Sequence, residues 1–178
     1  STRFLNPQLV MNIKTTIIKN KFFMEKSYIH LYNKLIELSR NKDLYKDFKN
    51  QDIFSDRLTF FLIHFAIFFK VFKNKNNRET LQEIYDFTFR QLELSIREIG
   101  YGDQSINKKM KDYINLFHDI IDKFHFWDDL NKERKQEIIA NYTSNSKNSS
   151  FLLDYFESFL ISLKKNTLNS YIKSVIKN

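Results

Sequence analysis

Apolar residues recur at helical spacing along most of this chain. Between Met24 and Arg40, the positions Tyr28, Leu31, Tyr32, Leu35, Ile36 and Leu38 make one stripe. That i, i+3, i+4, i+7 spacing predicts an amphipathic helix. A short turn of helix is expected at Asp43–Phe48, broken by Asn50 to Asp52. The next helix is expected from about Ser55 to Phe72, capped by Ser55 or Asp52. Its run from Leu58 to Phe69 carries no charge over 12 residues. That is well short of the roughly 20 residues a bilayer span requires. The run is therefore expected to be the central core helix, apolar all round because other helices cover it.

A polar run, Lys73 to Arg78, reads as a solvated loop. The following helix is expected over Glu79–Ile99, burying Leu81, Ile84, Tyr85, Phe87, Thr88, Leu92, Ile96 and Ile99. Gly100 then supplies a left-handed cap at little steric cost. A turn through Tyr101 and Gly102 leads into a helix expected over Ile106–Phe126, capped by Asp103 or Ser105. A shorter helix follows from Asp128 to about Tyr142. The tract Thr143–Ser150 reads as loop. Helices over Phe151–Leu163 and Leu168–Ile176 close the chain.

Composition agrees with this pattern. The 178 residues include only 2 Gly and 1 Pro, too few for the many tight turns of a β-sandwich or barrel. The expected fold is all-α, a single-domain irregular bundle of about six to eight helices. With no Cys, disulfides, thiolate nucleophiles and Cys-ligated metal sites are excluded. Aromatic residues reach 16%, and most of them must be core.

The net charge of +8 suits an anionic partner such as nucleic acid or a membrane surface. The signal is diluted by abundant Lys, Asn, Ile and Phe, whose codons are AT-rich. The N-terminal segment, residues 1–23, is set apart from a helical domain at 24–178. Residues 1–10 read either as an added remnant or leader before a start at Met11, or as native chain with Met11 internal. From Arg3 to Lys26 the net charge is +4, with Ile13, Ile17, Ile18, Phe22 and Phe23 interspersed. Such a segment either lies on an anionic membrane surface or docks as a helix on its own domain.

Candidate chemistry is sparse. His118, Asp122 and His125 share one helix face at i, i+4, i+7, a spacing open to a metal. Phe117, Ile121 and Phe124 should point to the core, which puts that face in solvent. There is no Glu-x-x-His pair of the kind di-iron bundles use. His64, inside the most apolar helix, is expected to be a core histidine. No catalytic set or cofactor motif can be assembled from order and spacing, so the expected reading is a non-enzyme without a metal; a metal-dependent helical enzyme is a third reading and predicts metal in the purified protein. Lys108, Lys109 and Lys111 cluster at the expected start of a helix. Cations there oppose the helix dipole, which suggests retention for a partner. A solvated face is the plain alternative.

Three stretches carry a resemblance. Asp56-Arg57-Leu58-Thr59-Phe60-Phe61-Leu62-Ile63-His64 is similar to a Gly-Arg-Phe-x-Leu-x-x-x-His pattern, matched at Arg57 and His64. Tyr85-Asp86-Phe87-Thr88-Phe89 resembles the aromatic-Asp segment that follows it. Sharpest is Ser95 to Lys111, with Arg97, Glu98, Gly100, Gly102, Asp103, Lys108 and Lys111 in order. These resemble the ubiquinol–cytochrome c chaperone family, particularly its alphaproteobacterial members, over about residues 24–126. Departures stand at Asp56, where the family has Gly, at Thr59, often acidic there, and at Leu92-Glu93 in place of Met-Asp. After Phe126 little aligns.

The resemblance implies an assembly factor for ubiquinol–cytochrome c reductase that holds newly made cytochrome b. It also implies a small partner protein and the ribosome as further partners, and no DNA. The expected location is the cytoplasm or mitochondrial matrix, peripheral to the inner membrane. Expected partner-binding residues are Arg57, Arg97, Asp103, Lys108, Lys109 and Lys111; His64, Gly100 and Gly102 are expected to be structural. The alternative is a helical nucleic-acid or ribosome-binding protein without a chaperone role.

Overall fold

A computed structural model describes residues 6–46, 48, 54–143 and 147–176. The described residues form seven α-helices and no strand: α1 (Pro7–Ser39), α2 (Phe54–Phe72), α3 (Arg78–Glu98), α4 (Asp103–His125), α5 (Lys132–Tyr142), α6 (Ser149–Lys164) and α7 (Leu168–Ile176). The all-α expectation holds. Short 3-10 turns at Lys42–Tyr45, Lys75–Asn77 and Trp127–Asp129 join them.

The largest departure from the sequence reading is α1. It begins at Pro7, not near Met24. Asn6 accepts a hydrogen bond from the Gln8 backbone N–H at 2.9 Å, and Pro7 takes the first helical position. Proline is preformed for that position, and its missing N–H costs nothing there. No Gly or Pro interrupts the chain from there to Ser39, so the helix runs unbroken through Met11 and across the expected boundary at 23/24. Residues 1–5 of the expected N-terminal segment lie outside the described residues. Among the described residues the segment leaves its larger apolar side chains uncovered: Ile17, Ile18, Phe22 and Phe23 are all more than half exposed. The buried stripe starts only at Ser27 and Tyr28.

Helix α2 is the hub. Every residue from Phe60 to Phe68 is buried, as an apolar helix surrounded by others should be. It packs against α1, α4 and α6. Phe65 is the centre of the aromatic core, with its ring 4.9 Å from those of both Phe69 and Phe117. Ser55 is the second residue of α2 rather than its cap, and Asp52 lies outside the described residues.

On α3 the buried stripe is Leu81, Ile84, Thr88, Phe89, Leu92 and Ile96. Ile99 does not join it and is 57% exposed. Ile99 is the last helical-geometry residue before the chain reverses, so no following turn covers it. Two tyrosines lash α1 to α3: Tyr28 donates to Glu83 Oε2 at 2.8 Å, and the Tyr32 and Ser95 hydroxyls meet at 3.2 Å. Burial, with the Glu83 contact second, raises the Tyr28 phenol well above its ordinary pKa.

The C-terminal helices close the other side. Trp127 is buried and stacks on Phe124 at 4.3 Å. Its indole N–H donates to Glu157 Oε1 at 3.0 Å, which also takes the Lys135 ammonium at 2.9 Å. The expected helix from Asp128 is instead a 3-10 turn followed by α5, which Asn131 caps through the Arg134 N–H at 2.9 Å.

Candidate functional site

The residues singled out as partner-binding fall largely around the turn joining α3 to α4. Gly100 sits there at φ +102°, the left-handed region that side chains with a Cβ avoid. Its N–H donates to the Arg97 carbonyl at 2.9 Å and closes the end of α3. Gly102 differs: at φ −73°, ψ 159° it is extended, and it occupies the N-cap of α4. A Cβ at Gly102 would meet nothing within 4 Å. Asp103 was expected as the cap but is the first helical residue. Its carboxylate instead accepts from one Arg97 guanidinium nitrogen, while the other donates to Glu93 Oε1 at 3.0 Å. Arg97 therefore clamps the turn from the α3 side. The hydrogen bonds that the guanidinium donates to Asp103 and then Glu93 raise its already high pKa further.

Because α4 starts at Asp103, Lys108 lies in its second turn. Dipole effects fall off within the first turn, so the expected conflict between these lysines and the helix dipole is not there. Lys108 and Lys111 are exposed, and no salt bridge among the described residues engages Lys108, Lys109 or Lys111. Lys109 lies over the Tyr101 ring at 4.6 Å. That contact orders the ammonium without neutralising it.

Apolar side chains also lie exposed towards this end of α3 and in the turn. Leu94, Ile99 and Tyr101 are 47%, 57% and 40% exposed. Sequence reading missed this, because Ile99 continues the α3 stripe by spacing. The available signal was Gly100: a helix that stops there has no next turn to bury Ile99. Arg57 reaches the same end of the fold by another route. It lines a shallow notch of about 430 Å³ with Arg40, Leu92, Ser95 and Ile99. Three helices, α1, α2 and α3, thus bring Arg40, Arg57 and Ile99 to one edge. Together these groups make a surface with apolar patches bordered by cations.

His64 is elsewhere and structural in its contacts. It is fully buried in α2. Its Nδ1 lies 2.6 Å from the Phe60 carbonyl, which only accepts, so Nδ1 carries the proton. Nε2 is then the acceptor for the Tyr155 hydroxyl at 2.8 Å. Burial lowers the imidazole pKa to about 4, opposed in part by the Phe60 bond. The same burial pushes Tyr155 up to about 12.

His118, Asp122 and His125 are exposed on α4. His118 Nε2 lies 3.0 Å from the Tyr85 hydroxyl. Among the described residues no group of three or more His, Cys, Asp or Glu is placed to hold a metal ion. No helix there is long and apolar enough to cross a membrane.

Residues 46–125 match the family model for the ubiquinol-cytochrome C chaperone. The matched segment contains α2, α3 and α4 and ends where α4 ends; α1 and the helices after α4 lie outside it. No curated protein and no solved structure matches the chain.

Proposed function

We propose, from a segment that matches the ubiquinol-cytochrome C chaperone family and supplies the hub of the fold, that this chain is a non-enzymatic assembly factor for ubiquinol–cytochrome c reductase. Its client is newly made cytochrome b. The client docks at the α3–α4 turn, over Ile99, Leu94 and Tyr101, with Lys108, Lys109 and Lys111 at the rim. Arg97 and Asp103 hold the turn in shape, and Arg57 borders the surface from α2.

One observation carries this reading. The family match spans three of the four helices that contribute to the apolar and cationic surface, all but α1 with Arg40 at its end, and that surface has the composition a membrane-protein client calls for. An unfolded membrane segment presents apolar side chains, and the nearby ribosome and membrane surface present anions. Such a role operates at the membrane, in the cytoplasm or mitochondrial matrix, and the exposed basic α1 segment suits peripheral contact with it.

Reversing the charge at Lys108, Lys109 and Lys111 together tests the site. Co-purification of cytochrome b should fall at least about tenfold, a change of about 1.4 kcal/mol in binding. The melting temperature should stay nearly constant, since exposed charges contribute little to stability. Undiminished co-purification would sink the proposed surface.

A further inference from the structure

A second concave surface lies away from the α3–α4 turn. Two cross-links fix how α3 and α4 run. Arg97 meets Asp103 next to the turn, and Tyr85 meets His118 further along, so the helices are antiparallel. Arg78 lies seven residues before Tyr85, and His125 lies seven residues after His118. Both therefore sit at the open end of the hairpin, about 10 Å from the Tyr85–His118 pair at ~1.5 Å per residue.

A groove of about 1040 Å³ occupies this end, with the C-terminal part of α2 as its floor. Its Lys and Arg side chains gather toward one end. Lys73, Lys75, Arg78 and His125 line the open end with Asn74, and the rest is mainly apolar, Phe69, Leu81, Tyr85, Phe117 and Ile121, with Gln82 and His118 beside them. No Asp or Glu is among the lining residues. Lys70 also lines the groove, but its charge is met by Asp128 at 3.1 Å. Lys73, Lys75 and Arg78 are exposed, and no salt bridge among the described residues engages them.

We propose that this groove binds one anionic phospholipid, its phosphate held by Lys73, Lys75 and Arg78 and the first part of an acyl chain laid over the half-buried Phe69, Tyr85 and Ile121. Charge complementarity selects the head: several cations with no acidic neighbour in the lining match a phosphate, and guanidinium can bind it through two parallel hydrogen bonds. The gathering of cations at one end selects a single lipid over a helical peptide. An acidic amphipathic helix needs cations along both edges of its apolar stripe, whereas here most cations gather at one end. The site is separate from the proposed client surface and stands without it.

The test uses the full chain and monododecyl phosphate below its micelle-forming concentration, followed by calorimetry and by amide NMR shifts. Saturable binding at one site is expected, with shifts at Leu81, Tyr85, Phe117 and Ile121. Inorganic phosphate and uncharged dodecyl maltoside should each bind at least about tenfold more weakly. Arg78→Glu and Lys75→Glu should each weaken the alkyl phosphate by a similar factor with an unchanged melting temperature. Absence of saturable binding, equal binding of dodecyl maltoside, or shifts confined to the exposed part of α1 would overturn the proposal. So would capture at this groove of an acidic amphipathic peptide but not of the alkyl phosphate.

Discussion

The His64 imidazole and the Tyr155 phenol meet at 2.8 Å across the α2–α6 interface, in a shell that also holds the rings of Phe156 and Phe159. Tyr155 is the donor, because the His64 proton is already committed to the Phe60 carbonyl. Tyr155→Phe leaves a buried ring nitrogen without its partner and should destabilise by about 1–3 kcal/mol. Denaturant titration of the variant checks this; a change near zero would mean the bond contributes nothing.

His64 also gives the fold an acid limit. Its folded pKa of about 4 lies below the ordinary 6.5. The folded state keeps the ring neutral, while the unfolded chain takes up a proton below pH 6.5. Stability is therefore full above that value and declines as pH falls towards 4, by about 2 kcal/mol between pH 7 and pH 5. His64→Gln should be less stable at pH 7 but lose part of that slope. Equal slopes for the two proteins would show that His64 is not the titrating group.

The two glycines should respond oppositely to substitution. Gly100→Val forces a β-branched residue into φ +102° and should cost at least about 1–2 kcal/mol. Gly102→Ser occupies an N-cap of ordinary geometry with open space around it and should be neutral or gain a few tenths of a kcal/mol. Thermal melts of both variants decide it, and an unchanged melting temperature for Gly100→Val would remove the left-handed cap.

Phe117 and Phe126 offer a similar contrast within ten residues. Phe117 is fully buried between α2 and α3, and its loss to Ala should cost about 3–5 kcal/mol. Phe126 is 61% exposed, and Phe126→Ala should fall within about 0.5 kcal/mol of the parent. Comparable losses in chemical denaturation would mean that the aromatic core is centred elsewhere.

Much of this was legible because helices write their buried faces into sequence. The α2 run from Leu58 to Phe69 could only be a covered helix, and α7 is found over the expected span, Leu168–Ile176. Less legible was whatever depends on partners in space. Nothing in the periodicity tells whether Ile17 and Phe22 are covered, since an unpartnered helix and a docked one share a pattern. The Asn6–Pro7 start signal was present in the sequence and outweighed by the weak patterning that follows it. At the site, the residues of the basic cluster were readable, but the exposure of Ile99 and the Arg97–Asp103 clamp were not. Both depend on where α3 stops and α4 begins, and the boundaries shifted by one and three residues from those expected.

The most direct measurement of the chaperone reading is photo-crosslinking from a photoreactive residue placed at Lys109, in a cell-free system translating cytochrome b. Selective crosslinks to the nascent cytochrome b chain, absent with an unrelated membrane protein, are the expected result. Crosslinks to ribosomal components alone, whatever the message, or no crosslinks from this position, would contradict a client surface at the α3–α4 turn.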